Sequence, residues 1–96
     1  MGKNEILDIL RDFVAENGAR YHIVRLGIFG SAARDEMRDE SDIDVVVELE
    51  KPELSSLVGI KRGLEERLHR KIDLIRYRRE INPTLKICID REAVYV

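Results

Sequence analysis

The 96 residues carry 44% apolar and 38% charged side chains, yet 17 Lys and Arg nearly cancel 19 Asp and Glu, leaving a formal charge of −2. A chain of this length is expected to fold as one domain over residues 1–96 with a small core. So even a balance argues against a dedicated nucleic-acid binder, which carries a basic excess. Cys88 is the only cysteine, which rules out an internal disulfide and favours a reducing compartment. Acidic residues in the first turns speak against a secretory signal, and no run of about 18 apolar residues could span a bilayer, so no membrane contact and a cytoplasmic location are expected. The absence of Gln, with only three Asn, leans toward a thermophilic source.

In chain order, residues 4–17 place Ile6, Ile9, Leu10, Phe13 and Asn17 on one helical stripe, widened by Leu7 and Val14. Asn17-Gly18 reads as its stop, because glycine tolerates the left-handed conformation that ends many helices. Residues 22–29 are β-branched and apolar and predict a strand, and the Ala-rich stretch 31–37 a brief helix. Residues 43–49, Ile-Asp-Val-Val-Val-Glu-Leu, carry the strongest strand pattern. Pro52 suits the start of a second long helix, with Leu54, Leu57, Val58, Leu64 and Leu68 on its apolar face and Arg67, His69 and Arg70 at its negative end. Gly59 and Gly63 lie within it and read as points of close packing against the sheet. Residues 71–76 predict a third strand. Asn82-Pro83, cap followed by first-turn proline, opens a last helix that turns Leu85, Cys88 and Ile89 inward. Val94-Tyr95-Val96 either adds a short edge strand or simply packs. Strands alternating with helices predict an α/β (α+β) fold, a mixed sheet of three to four strands flanked by helices.

The chemistry concentrates around residues 30–44. Asp42 and Asp44 stand two apart at the start of a strand, so both point to the same side of the sheet. Two adjacent carboxylates repel unless a cation sits between them, and a hard divalent ion such as Mg²⁺ suits carboxylate oxygens while keeping positions for water and phosphate. Asp73, flanked by Ile72, Leu74 and Ile75, reads as a buried acid in a core strand. If that strand lies beside 43–49, Asp73 reaches the same cation; otherwise it is a salt-bridged core acid. Gly30 and Ser31 sit where a strand passes into a helix, where backbone N–H groups and the helix dipole favour phosphate. Arg34 adds a planar fork for phosphate oxygens. Taken singly, Ser31 is a helix cap and Ser41-Asp42 a turn. Together they describe phosphoryl chemistry with one or two metal ions.

The stretch Gly30-Ser31-Ala32-Ala33-Arg34-Asp35 through Ser41-Asp42-Ile43-Asp44-Val45-Val46-Val47, with Lys71-Ile72-Asp73-Leu74, closely resembles the DNA polymerase β-like nucleotidyltransferase superfamily, and the resemblance takes in the leading helix and the ending Arg91-Glu92-Ala93-Val94. More narrowly it is similar to the minimal nucleotidyltransferases (MNT), the antitoxin partners of HEPN toxins. That resemblance implies that Asp42 and Asp44 hold a nucleotide-binding Mg²⁺ and join Asp73 at a catalytic one. It also implies that Gly30 and Ser31 cradle the β- and γ-phosphates of ATP, and that Arg34 holds the departing pyrophosphate. Asp35 departs from the family pattern, where glycine often follows the arginine; its charge is expected to tilt the loop or weaken nucleotide binding.

The 96 residues are not expected to hold the domains that grip template and primer or complete a small-molecule pocket. The resemblance therefore implies AMP transfer from ATP to a hydroxyl of a partner protein, a tyrosine of a HEPN ribonuclease toxin, with nucleic acid not a direct substrate and a homo- or hetero-oligomer in prospect. Two alternatives stand beside it: a non-catalytic antitoxin that masks its partner by contact, and an antibiotic-type nucleotidyltransferase completed by a second subunit. The basic run Arg76-Tyr77-Arg78-Arg79 either attracts an acidic partner or RNA, or is merely a solvated loop. His22 and His69 have no metal-ligand spacing, and Cys88 reads as a small core residue.

Overall fold

The computed structural model describes residues 1–96 as four helices and four strands in the order α1 (Lys3–Tyr21), β1 (Ile23–Ile28), α2 (Gly30–Ala33), β2 (Ile43–Leu49), α3 (Leu54–Leu68), β3 (Ile72–Arg76), α4 (Pro83–Glu92) and β4 (Val94–Tyr95). The strands form one mixed sheet in the order β3-β2-β1-β4. β1 runs antiparallel to both β2 and β4, while β2 and β3 are parallel, joined by the α3 crossover.

Alternation along β2 divides the molecule. Ile43, Val45, Val47 and Leu49 point to one face, where they pack with Ile6, Leu10 and Phe13 of α1 and Ile60, Leu64 and Leu68 of α3. Asp44, Val46 and Glu48 point to the other, where Val46 packs with Phe29 and with Ile89 of α4. One face thus carries the large core, while the second is covered only in part, which leaves room for polar side chains at its edge. No helix is long and apolar enough to cross a membrane.

The α/β architecture expected from the sequence is what the chain adopts, with several local corrections. Helix α1 runs through Asn17-Gly18 to Tyr21, and His22 takes the left-handed cap at φ 55°. Tertiary packing overrides the local stop: Tyr21 stacks on Phe13 with ring centroids 6.3 Å apart, so the extra turn is pinned at its last residue although Ala19 and Arg20 are exposed. The predicted brief helix over 31–37 shrinks to one turn beginning at Gly30. On α3, Leu54 and Val58 are exposed, and Ile60 takes the place expected of them in the core. Pro52 lies ahead of that helix, whose N-cap is Glu53, and His69 is its left-handed cap rather than part of its last turn. Gly59 and Gly63 pack against α1, not the sheet: a Cβ at Gly63 would stand 2.7 Å from Phe13 Cε2, and one at Gly59 2.6 Å from the Tyr21 hydroxyl. The Asn82 cap stands as expected, its Oδ1 accepting from Thr84 N at 2.9 Å and Leu85 N at 3.3 Å. Residues 94–95 do form an edge strand.

Asp35 sits in the left-handed region at φ 57°, which explains why glycine suits this position. Asp is among the few residues that tolerate it. Its carboxylate accepts from the Lys3 amide at 3.1 Å, serving as a distant cap for α1, whose own N-cap, Gly2, has no side chain to offer. Asp35→Ala should lose that cap and keep the strain, costing about 1 kcal/mol. Asp35→Gly should come out near wild type, because relief of the backbone offsets the lost cap. Urea unfolding of both variants measures the difference.

Candidate functional site

The residues singled out in the sequence converge where β1 ends and β2 and β3 begin, on the half-covered face. β1 runs into α2 through Phe29, whose N–H donates to the Asp44 carbonyl at 3.1 Å, and so ties the end of β1 to the start of β2. Gly30 then turns at φ 65°, a left-handed conformation that a side chain would strain. It also permits close approach, since a Cβ there would collide with Asp44 Oδ2. The glycine therefore lets the carboxylate lie directly against the backbone of the turn.

Asp44 and Asp73 are register partners across the parallel β2–β3 pair. Neighbouring strands lie about 4.8 Å apart, and partners in register project to the same face, so the two carboxylates stand side by side. Asp42, just ahead of β2, adds a third negative charge that acts on Asp44. The Asp44 carboxyl is pushed above its ordinary range, first by burial and then by repulsion from Asp73 and Asp42; Arg34 opposes this. None of the three aspartates forms an ion pair.

The expectation of a buried Asp73 does not hold. Asp73 is exposed, because β3 is an edge strand and its neighbours Leu74 and Ile75 are themselves only half-buried. It is thus not a salt-bridged core acid. The three carboxylates are also not gathered tightly enough to enclose an ion unaided.

Ser31 lies inside α2 rather than capping it, the N-cap being Phe29. Ser41 does serve a turn, its hydroxyl accepting from Arg38 N at 3.3 Å. Arg34 is already engaged, donating through Nε to Glu36 Oε2 at 3.2 Å and through Nη1 to Glu92 Oε1 at 2.8 Å. These partners keep the guanidinium firmly protonated.

Two contributors were not visible in the sequence. Arg70, expected to complement the end of a helix, instead reaches to the loop before Asp42, donating to the Arg38 carbonyl at 3.0 Å and to the Ser41 carbonyl. Glu92, which closes α4, meets Arg34 from 58 positions away. No local pattern announces either pairing. Cys88 is likewise not a plain core residue: it is half-buried and its thiol donates to Glu92 Oε2 at 3.3 Å.

The basic run after β3 divides. Arg78 and Arg79 are exposed, whereas Tyr77 is held by the Arg25 guanidinium, 5.0 Å from its ring centroid, and donates its hydroxyl to Asp90 at 3.0 Å. The larger concavity, about 570 Å³, lies between Pro52, Leu54, Leu74, Ile81 and Leu85. The smaller lies between the end of α1 and α3. Neither is lined by Asp42, Asp44 or Asp73, so the carboxylates stand on an open surface, not in an enclosed pocket.

Comparison with known proteins shows the family and the fold. Residues 10–96 fit the model of the family described as polymerase beta, nucleotidyltransferase. A Methanocaldococcus jannaschii protein classed as a protein adenylyltransferase is 40% identical over 100% of this chain and 99% of its own. A solved structure described as a minimal nucleotidyltransferase superposes with a TM-score of 0.79 at 35% identity, covering 98% of this chain and 95% of the other. The fold alone is shared with a Shewanella oneidensis complex of a tri-AMPylated HEPN toxin with its MNT antitoxin, at a TM-score of 0.59 and 19% identity over 97% of this chain and 66% of that one.

Proposed function

Because the chain belongs to the polymerase β nucleotidyltransferase family, we propose that it transfers AMP from ATP to a tyrosine hydroxyl of a HEPN-type partner protein and silences it as an antitoxin. The observation that carries this reading is the in-register pair Asp44 and Asp73 beside the Gly30 turn, neither of them in an ion pair, with burial and mutual repulsion outweighing the pull of Arg34 on Asp44. A relative of the same length classed as a protein adenylyltransferase supports AMP as the group moved, and the AMPylated toxin in a complex of the same fold supports the class of acceptor.

The donor set fits Mg²⁺. Asp42, Asp44 and Asp73 are hard oxygen ligands whose mutual repulsion a divalent cation would relieve, and Asp44 is already disfavoured as a free carboxylate. Too open to enclose an ion alone, the three leave positions for water and for nucleotide phosphate oxygens, as this ion prefers. When bound, Mg²⁺ would neutralise phosphate charge and make the acceptor hydroxyl more acidic. The chain's own residues supply the remainder. Gly30 and the Ser31 hydroxyl offer donors to the β- and γ-phosphates, and Arg34 offers charge to the departing pyrophosphate. Asp73, exposed on the edge strand, meets the incoming hydroxyl. The oxygen of that hydroxyl attacks the α-phosphorus in line as its proton passes to Asp73, and the bond to the pyrophosphate oxygen breaks, releasing pyrophosphate.

An open site suits an acceptor brought by another protein, since nothing beside the carboxylates encloses a small molecule. Incubation with α-labelled ATP, MgCl₂ and a HEPN protein encoded by a neighbouring gene should label the partner, and the label should vanish in Asp42→Ala and Asp44→Ala. Undiminished silencing of the partner by those variants would make the chain a contact antitoxin and overturn the catalytic reading.

A further inference from the structure

We propose that Glu92 is a positioning residue for nucleotide binding, clamping the Gly30–Arg34 turn from the far end of the chain; this rests on the nucleotidyltransferase reading. The turn has little to hold it locally. Helix α2 has four residues and no side-chain cap. Its buried residues Gly30, Ala32 and Ala33 anchor the backbone, but Arg34 at its end is exposed. Arg34, the phosphate-facing cation, has Glu36 as a near neighbour, but that carboxylate is 66% exposed and the bond is 3.2 Å. Pairs so open to water hold a side chain weakly.

Glu92 is differently placed. Its side chain is 29% exposed, its Oε1 accepts from Arg34 Nη1 at 2.8 Å and its Oε2 from the Cys88 thiol at 3.3 Å. The Cys88 thiol, Arg34 and, least of all, the nearby Gly30 N–H hold the Glu92 carboxyl below its ordinary range against the opposing effect of desolvation. One acid thus ties the guanidinium that ends the turn to helix α4. Its position is also costly to α4 itself, because a carboxylate in the last turn opposes the helix dipole. Local preference would place a basic residue there, so the tertiary contacts explain the acid.

Freed from Glu92, Arg34 would sample many rotamers and the Gly30 turn would lose a tether on α4. Nucleotide would then have to order both on binding. The effect belongs in KM for ATP more than in kcat, since the carboxylates that serve the acceptor are not touched.

The test is a double-mutant cycle on the partner-labelling reaction with Glu92→Ala, Arg34→Ala and the pair, with Glu92→Gln as the variant that retains acceptor geometry. Glu92→Ala should raise KM for ATP about tenfold with kcat changed much less, and Glu92→Gln should recover part of the loss. In the Arg34→Ala background, Glu92→Ala should add little, because residues acting through one another are non-additive. Equal penalties in both backgrounds, or a loss of kcat with KM intact, would overturn the proposal. In ¹H–¹⁵N spectra the Gly30 amide and Arg34 Nε signals should shift in Glu92→Gln whether or not the protein is active, and unmoved signals would likewise overturn it. Failure of the wild type to bind ATP or label the partner would instead refute the parent reading.

Discussion

Asp44→Asn should abolish nucleotide transfer and yet make the protein more stable. The amide keeps the size of the side chain but removes the charge that burial, Asp73 and Asp42 all disfavour. Loss of a ligand shared by metal and nucleotide should lower kcat/KM for partner labelling by at least about a thousandfold, within the range removed with key electrostatic groups. The melting temperature should rise by a few degrees, since active sites commonly hold charge at the expense of stability. The pH dependence follows from the direction of the shift. A carboxyl whose pKa is raised in the folded state takes up its proton there before it does in the unfolded chain, so wild-type stability gains from this group as pH falls, and the gain is lost as pH rises through the folded pKa. The advantage of Asn over Asp should therefore be full above the raised folded pKa and close as pH falls toward the unfolded value of about 4. Melting curves from pH 4 to 8 check it. A gap that widens toward acid would contradict the charge balance described for the site.

Gly30→Ala should damage the protein in two ways at once. A left-handed alanine costs about 1–2 kcal/mol, and the added methyl meets Asp44 Oδ2, so either the turn or the carboxylate must move. Displacement of a reacting group by about 1 Å can cost on the order of a hundredfold in rate, and a loss of that order is expected here even where circular dichroism shows the fold retained. Wild-type activity in this variant would mean that Asp44 need not lie against the turn.

Much of this was legible in the sequence. The strand pattern at 43–49, the Asn82-Pro83 cap and the pairing of Asp73 with Asp44 all follow from local chemistry plus one assumption, that the third strand lies beside the second. What escaped depended on contacts distant along the chain. Gly18 continues the helix because Tyr21 packs on Phe13, and no stop signal carries that information. Asp73 lies open because β3 is at the edge of the sheet, a property of strand order rather than of its apolar neighbours. Arg70 suits the end of a helix and Glu92 opposes the dipole of its own, yet only the folded chain shows the loop and the arginine they meet. The family resemblance named the carboxylates, but not what holds the turn beside them.

The alternation along β2 has a consequence for folding itself. A slip of one residue in its pairing would turn Asp44 and Glu48 inward against the apolar faces of α1 and α3, and would bring Ile43, Val45 and Val47 out to the half-covered side. Burying unpaired acids in that core is prohibitive. The same aspartate that serves the chemistry therefore helps exclude a misaligned sheet, and a neutral replacement that raises stability also weakens that safeguard.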